Sequence, residues 1–349
     1  MEYTIPSYLK SYENLYKKNP RQANLEWFKN ANYGLFIHYG LFSLLNRHEW
    51  VQLREKIYVK DYAKLKEQFT AENFDAEYIV KMAKDCNMKY INITTRHHDS
   101  FCLWDTKETD FNSLNSPAKR DLVKELAEAC EKYGLGLFLY YSHGRDWKHP
   151  HAPNNDKWGG SARPIYDPAE PTYAYGKEHD LNIYLDFMKD QISELLTNYP
   201  TIAGIWLDGI ATPLSGDDTK FKCQDLYDHI HTIHPHALVS YKQGVTGTED
   251  FFAPEHTIPT NADDAKKAGK IYSKHDKIIE ICTTTLKNPG SWGCNKDSEH
   301  KTVDEILEQW NKAKEKNAHL LLNTGPLPDG SLHPADEKIF HQLAKYIKS

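Results

Sequence analysis

Gly204-Ile205-Trp206-Leu207-Asp208-Gly209 is a short apolar run that stops on a carboxylate, followed by a glycine that lets the chain turn away. Seven further runs of this kind recur along the chain: Tyr33 to His38, Tyr90 to Thr95, Gly136 to Ser142, Leu238 to Tyr241, Phe251 to Glu255, Ile278 to Cys282 and His319 to Thr324. Longer amphipathic stretches separate them, and helices are expected over Asp75 to Cys86, Asp121 to Tyr133, Leu181 to Tyr199, Phe221 to His234 and Val303 to Lys316. In the last of these, Thr302 and Glu305 make a capping box, and Val303, Ile306, Leu307 and Trp310 share one face. Strands covered by helices on both faces read as near-continuous apolar runs, so the alternation is that of βα units around a parallel sheet. Eight runs fit a TIM-like (β/α)8 barrel of the α/β class better than an open doubly wound sheet. Neither a G-x-G-x-x-G after an early strand nor a G-x-x-x-x-G-K-[ST] is present to mark a nucleotide-binding crossover. The expected division is a lead-in over residues 1–26 and one barrel domain over residues 27–349, ending in a helix near Ala335 to Ile347.

The composition narrows the function classes. The 349 residues carry 43 Lys and Arg against 49 Asp and Glu, a formal net charge of −6. Nucleic-acid binding, which relies on a basic face to displace counterions, is therefore not expected. No apolar run approaches the ~20 residues needed to span a membrane, so no membrane partner is expected. Met1 to Lys18 shows no signal peptide, which leaves the compartment open. The six cysteines have no metal-type spacing and read as separate buried thiols, with Cys282 and Cys294 the one pair close in sequence. Two stretches read as neither helix nor strand. Gly144 to Tyr175, rich in proline and carrying Trp147, His149, His151 and Trp158, is expected to wall the site, and Thr260 to Lys270 to be an exposed connection.

Barrel enzymes place their chemistry at the carboxyl ends of the strands. Those ends supply His38, then His97 and His98, Tyr141 and His143, Asp208, Glu255 and Glu280. Asp208 is the sharpest case, because Pro213 and the polar Ser215 to Asp218 postpone the next helix to about Lys220 and leave it nothing to cap. Glu255, 47 residues further on after Pro254, is the natural second carboxylate. Two carboxylates on one cleft are what glycosidic cleavage requires, and their separation distinguishes retaining from inverting chemistry.

At these residues the chain resembles glycoside hydrolase family 29, the retaining α-L-fucosidases, from about Trp27 to Lys348. The likeness is carried by Phe36-Ile37-His38-Tyr39-Gly40, Glu49-Trp50, Thr94-Thr95-Arg96-His97-His98-Asp99-Ser100-Phe101-Cys102-Leu103-Trp104, Tyr140-Tyr141-Ser142, Trp206-Leu207-Asp208-Gly209, Pro254-Glu255, Ser291-Trp292-Gly293 and Leu321-Leu322-Asn323-Thr324-Gly325-Pro326, in that order. The resemblance implies Asp208 as nucleophile and Glu255 as general acid/base, with Glu280 in reserve for the second role. It implies His38, Glu49, Trp50, His97, His98 and Tyr141 as ligands of sugar hydroxyls, with Lys242 at the strand end beside the nucleophile. Phe36, Trp206 and Trp292 would form an apolar wall against the methyl group of a deoxy sugar. It implies neither cofactor nor metal, and a fucosylated oligosaccharide or glycoconjugate as partner. Many relatives continue into a β-sandwich after this barrel. Here the chain stops about 25 residues after Leu322-Asn323, so no such sandwich is expected.

The sequence departs from the family pattern at Tyr39, Arg96, Ser100 and Lys242. Lys242 stands where many relatives place an arginine, and an ammonium cannot reproduce a planar two-pronged contact. The expected function is therefore an exo-acting, retaining α-L-fucosidase, and the alternative is a related exo-glycosidase on another sugar such as an α-L-galactoside. A zinc-dependent barrel hydrolase, suggested by 18 histidines, and a non-catalytic sugar-binding protein are the remaining readings. The first lacks an HxH at the opening strand, where His38-Tyr39-Gly40 stands, and the second leaves two carboxylates without a purpose. The sequence sets no oligomeric state.

Overall fold

The computed structural model describes residues 4–159, 161–199, 202–257, 277–287 and 291–347. Eight parallel strands close into a barrel in sequence order: β1 (Tyr33–Ile37), β2 (Tyr90–Arg96), β3 (Gly136–Ser142), β4 (Ile202–Asp208), β5 (Leu238–Tyr241), β6 (Phe251–Phe252), β7 (Ile278–Thr284) and β8 (His319–Thr324). Among the described residues seven main helices accompany them: α1 (Pro20–Asn30), α2 (Ala76–Asp85), α3 (Leu122–Tyr133), α4 (Leu181–Asn198), α5 (Cys223–Ile233), α6 (Val303–Glu315) and α7 (Pro334–Leu343). The barrel expected from the alternating runs is the barrel observed.

The helix ends follow from their caps. Asp75, Asp121 and Asp180 each accept a backbone N–H in the first turn of α2, α3 and α4, and Thr302 with Glu305 closes the expected capping box on α6. The last helix starts at Pro334, where a missing N–H costs nothing, and stops at Leu343 rather than Ile347. The strand β6 is shorter than its apolar run because Pro254 has no N–H to give the ladder, which resumes as a single bridge from Glu255 to Cys282.

Strand side chains divide between two cores. Leu35, Ile91, Leu137, Ile205 and Val239 point outward against Leu126, Ile192 and Ile230 of the surrounding helices. Phe36, Tyr90, Phe138, Tyr140, Trp206 and Leu321 point inward and fill the barrel. The inward core continues into the N-terminal segment, where Tyr8, Tyr16, Trp27 and Phe28 close the bottom of the barrel. The Phe28 ring lies 5.5 Å from Tyr90, 5.1 Å from Phe138 and 4.7 Å from both Phe251 and His319. The expected division at residue 26 falls inside a helix. Helix α1 runs straight through it, because a barrel packed with large rings needs an apolar plug at its base.

The long Gly144 to Tyr175 stretch is not bare coil. It wraps the buried Arg163, whose guanidinium donates to Asn154 Oδ1 (2.7 Å) and Pro150 O (2.9 Å) and lies 4.0 Å from the Tyr173 ring centre. One turn of helix, Asn155–Trp158, is embedded in it. Another short helix, Ala211–Ser215, forms where the sequence reading expected a delay before Lys220, but its N-cap is Ile210, so Asp208 caps nothing. All six cysteines are buried free thiols. Thr260 to Lys270 lies outside the described residues. No helix among the described residues is long and apolar enough to cross a membrane.

If α1 plugs the barrel, Phe28→Ala should lower stability by about 3–5 kcal/mol. The expected reading is a lower urea midpoint at unchanged slope, and an unmoved midpoint would show that the plug is dispensable.

Candidate active site

At the carboxyl end of the barrel a cavity of about 150 Å³ is lined by Phe36, His38, Glu49, Trp50, Arg54, His97, His98, Tyr140, Arg145, Trp206, Asp208, Lys242, Glu255 and Trp292. Asp208 is delivered by β4 and held by the end of β3. Both His143 N and Gly144 N donate to Asp208 O at 3.0 Å, and Gly209 turns away with φ +85°. A Cβ on Gly144 would sit 2.1 Å from Gly209 O, so the two strand ends meet only because that side chain is missing.

The Asp208 carboxylate accepts from Tyr140 Oη at 2.6 Å through Oδ2 and lies 3.4 Å from Lys242 Nζ through Oδ1. Burial by itself would raise its pKa. The Lys242 ammonium, then His98, the Tyr140 hydroxyl and Arg145 outweigh burial and hold it well below the usual carboxylate range. Lys242 also bonds to Glu255 Oε1, so one ammonium bridges both carboxylates. Against the burial that would neutralise it, those two charges keep Lys242 protonated. Its Nζ rests 4.6 Å from the Trp206 ring centre. The side chain of Asp208 is 15% exposed and that of Glu255 45%, so one carboxylate is enclosed and the other meets solvent.

Three neutral imidazoles face this pair. Burial, the largest influence on each, pushes His38, His97 and His98 well below the usual range. Ser142 Oγ donates its proton to Arg145 O (2.7 Å), so at 2.6 Å from His98 Nδ1 it accepts, and His98 Nε2 is left bare toward the cavity. His38 Nδ1 is bonded in the same way to Asn323 Oδ1 at 2.6 Å, while Asn323 Nδ2 donates to Trp292 O at 2.7 Å. Glu49 Oε2 accepts from the backbone N–H groups of Trp292 (2.8 Å) and Gly293 (2.9 Å), and its Oε1 is buried without a partner among the described residues. Burial, only partly offset by those backbone bonds, raises its pKa to about 7.

The cavity therefore brings together His38, Glu49, Trp50, His97, His98, Trp206, Asp208, Lys242, Glu255 and Trp292 from the sequence-derived set, along with Phe36. It corrects Tyr141. That hydroxyl points out of the barrel to Gln191 Oε1 (2.7 Å), with Arg96 4.2 Å from its ring centre. Tyr140 takes the inward place, and strand alternation was the available signal: Tyr140 shares a face with Ser142, which is paired with Asp208. Glu280 does not reach the cavity. It lies beneath the floor, accepting from Tyr90 Oη (2.5 Å) and Trp206 Nε1 (2.9 Å). His143 is turned to Tyr241 Oη at 3.1 Å. Among the described residues of the expected loop wall only Arg145 lines the cavity, with Trp147 packed behind Trp50 at 5.5 Å. Arg54, Arg145 and Asn323 were missed. An arginine in a loop carries no periodic signal, and Asn323, inside the apolar run of β8, has no charge to mark it.

Among the described residues, one trio could approach a metal ion: His97, His98 and Asp208, with ligand atoms within 4.8 Å of one another. The Lys242 ammonium on Asp208 already supplies the positive charge a cation would bring, so the donor set does not favour a metal.

A closed parallel barrel whose C-terminal face holds two carboxylates, neutral imidazoles and an aromatic wall in one cavity is the architecture of a glycoside-hydrolase barrel. The chain belongs to the alpha-L-fucosidase family, whose sequence model matches residues 4–349. It is 26% identical over 346 residues to a putative alpha-L-fucosidase of Caenorhabditis elegans, covering 92% of this chain and 64% of that protein. It is 25% identical to the plasma alpha-L-fucosidase of Homo sapiens, covering 92% and 67%. Among solved structures it superposes on alpha-L-fucosidase isoenzyme 1 from Paenibacillus thiaminolyticus with a TM-score of 0.80 at 32% identity, covering 94% of this chain and 76% of that one. On the unliganded alpha-L-fucosidase AlfC from Lactobacillus casei the TM-score is 0.77 at 28% identity, covering 93% and 97%. The chain thus spans about two thirds or less of the length of the nematode and human relatives.

Glu280 gives the site a pH signature. Burial raises its pKa to about 7, against the lowering pull of its Tyr90 and Trp206 bonds. The folded state therefore binds a proton more tightly than the unfolded chain. The stability this contributes is complete below the unfolded pKa near 4.5 and lost as pH rises through about 7. Relative to Glu280→Gln, which cannot ionise, the wild type should lose up to about 3 kcal/mol between ~pH 4.5 and ~pH 8. Parallel urea midpoints of the two proteins across that range would reveal an unperturbed group.

Proposed function

We propose that the protein is an exo-acting α-L-fucosidase that releases terminal α-L-fucosyl residues with retention of configuration. The observation that carries this is the pairing of a buried, firmly ionised Asp208 with a solvent-meeting Glu255 through one shared ammonium. Carboxylates bridged by a single ammonium sit close together, which suits double displacement at ~5–5.5 Å rather than the ~6.5–9.5 Å that inversion needs for a water. The AlfC relative has been solved in complex with alpha-L-fucose product and with Fuca(1,6)GlcNAc, which supports the same sugar class here.

Asp208 is the nucleophile. Its ionised Oδ1 attacks the anomeric carbon as the glycosidic bond breaks, and the fucosyl group becomes an ester of Asp208. Glu255 gives its proton to the departing oxygen, then takes a proton from the water that cleaves the ester and releases fucose. Lys242, between the two carboxylates, steadies the charge as it moves from one to the other. Bare imidazole nitrogens on His38 and His98 accept hydrogen bonds from ring hydroxyls. Glu49 Oε1 takes a further hydroxyl, while Phe36, Trp206 and Trp292 form the apolar surface that a 6-deoxy sugar's methyl group fits. The enclosed base of the cavity suits removal of one terminal sugar at a time.

Azide separates the two carboxylate roles on an aryl α-L-fucoside. Asp208→Ala should lose turnover by several orders of magnitude and, with azide, yield the β-fucosyl azide of inverted configuration. Glu255→Ala should yield the α-azide, because the ester still forms. Early NMR of the wild-type reaction should show α-fucose first. The β-anomer appearing first, or an Asp208→Ala enzyme within tenfold of wild type, would overturn the assignment.

A further inference from the structure

Two guanidinium groups stand at the mouth of the cavity without a carboxylate of their own. Arg54, exposed at the end of the short helix Val51–Arg54, and Arg145, just past β3, both line it, and among the described residues neither forms an ion pair. Glu55, the acid adjoining Arg54, is taken by Arg47 at 3.1 Å. Arg145 is 6% exposed and held rigidly. Its Nε donates to Ser161 O (2.9 Å), one Nη donates to Ser161 Oγ (3.1 Å), and its guanidinium carbon sits 5.0 Å from the Trp50 ring centre. The other Nη donates to nothing among the described residues.

The nearby acids do not balance these charges. Asp208 and Glu255 are both bound to Lys242, although the field of Arg145 also reaches Asp208. Glu49 spends one oxygen on two backbone N–H groups, and burial raises its pKa to about 7, although the field of Arg54 also reaches it. Three cations thus face the Asp208 and Glu255 carboxylates, which Lys242 already bridges, and the surplus sits on the Trp50 side of the rim. A buried guanidinium with an open donor and no counter-charge is costly unless an anion comes to it. A fork of N–H donors is the group that binds a planar or tetrahedral anion best.

We propose that Arg54 and Arg145, framed by Trp50, form a binding site for an anionic substituent, a carboxylate or a sulfate or phosphate ester, on the part of the substrate that emerges from the cavity. The proposal rests on the hydrolytic reading above for the orientation of that substrate. It makes the enzyme selective for fucosides of acidic glycans or conjugates over neutral ones. The acidic partner is recognised at the rim, and the fucosyl pocket is unchanged.

The test compares 3-carboxyphenyl and 3-carbamoylphenyl α-L-fucosides, which match in shape and differ by one charge. Wild type should favour the carboxylate by roughly tenfold in kcat/KM, chiefly through KM. The ratio should fall when ionic strength rises from ~0.05 to ~0.5 M. Arg54→Gln and Arg145→Gln should each bring the ratio towards one, and comparing ratios removes differences in leaving-group ability. Calorimetric binding of the same pair to Asp208→Asn reads the preference without turnover. Hydrolysis of both with no preference, or a preference that both variants retain, overturns the anion site and leaves the hydrolytic reading standing. Preferential binding of the carboxylate without hydrolysis by wild type does the reverse, and no binding of either substrate overturns both.

Discussion

A carboxylate kept ionised inside a barrel is the constraint on which this structure turns. Asp208 is enclosed by aromatic rings, where its charge is unfavourable by several kcal/mol unless compensated. The compensation comes from one ammonium just past β5, from His98, from one phenol on β3 and from a guanidinium in the loop after β3. Each of those groups is in turn fixed by something else. Lys242 lies over Trp206, whose indole N–H is held by Glu280, and Tyr140 stacks on the same indole with ring centres 5.6 Å apart. The charge of Asp208 is therefore set by a floor of packed rings rather than by a single partner.

The same floor explains why the surrounding imidazoles are neutral. Positive charges on His38, His97 and His98 would lie away from water and in the field of Lys242, with Arg145 adding to it at His97 and His98. Neutral rings offer one donor and one acceptor each, and buried partners such as Ser142 and Asn323 decide which nitrogen faces the cavity. Asn323 serves twice, orienting His38 with its oxygen and the Trp292 loop with its nitrogen. Directional hydrogen bonding to a sugar needs that rigidity, because a hydroxyl bonded in the wrong geometry gains little when the ring flattens in the transition state. Lys242 itself sits at φ +48°, an uncommon backbone state for a residue with a side chain, at the point where the two carboxylates meet.

Most of the barrel was legible because strand period, helix caps and turn residues are local properties. The aspartates at 75, 121 and 180 and the Thr302 box act within one helical turn. The carboxylates at 208 and 255 announced themselves as charges at the ends of apolar runs. Tyr141 was misread for a different reason. The adjacent tyrosines of β3 are chemically alike, and only their register against Asp208 on β4 separates the inward one from the outward one. The N-terminal plug was also hidden, since nothing local to Trp27 or Phe28 says that the ring partners will be strand residues up to some three hundred positions away.

By itself, the amino-acid sequence determined the closed eight-stranded architecture, the end of the barrel at which chemistry would sit and the two carboxylates that face it, because periodicity and residue type encode these directly. Only the tertiary structure decided that one lysine joins both carboxylates, that Tyr140 rather than Tyr141 touches Asp208, that Glu280 lies under the floor, and that Arg54 and Arg145 line the cavity. Those facts depend on distances between side chains remote in sequence, which are fixed when the barrel closes and not before.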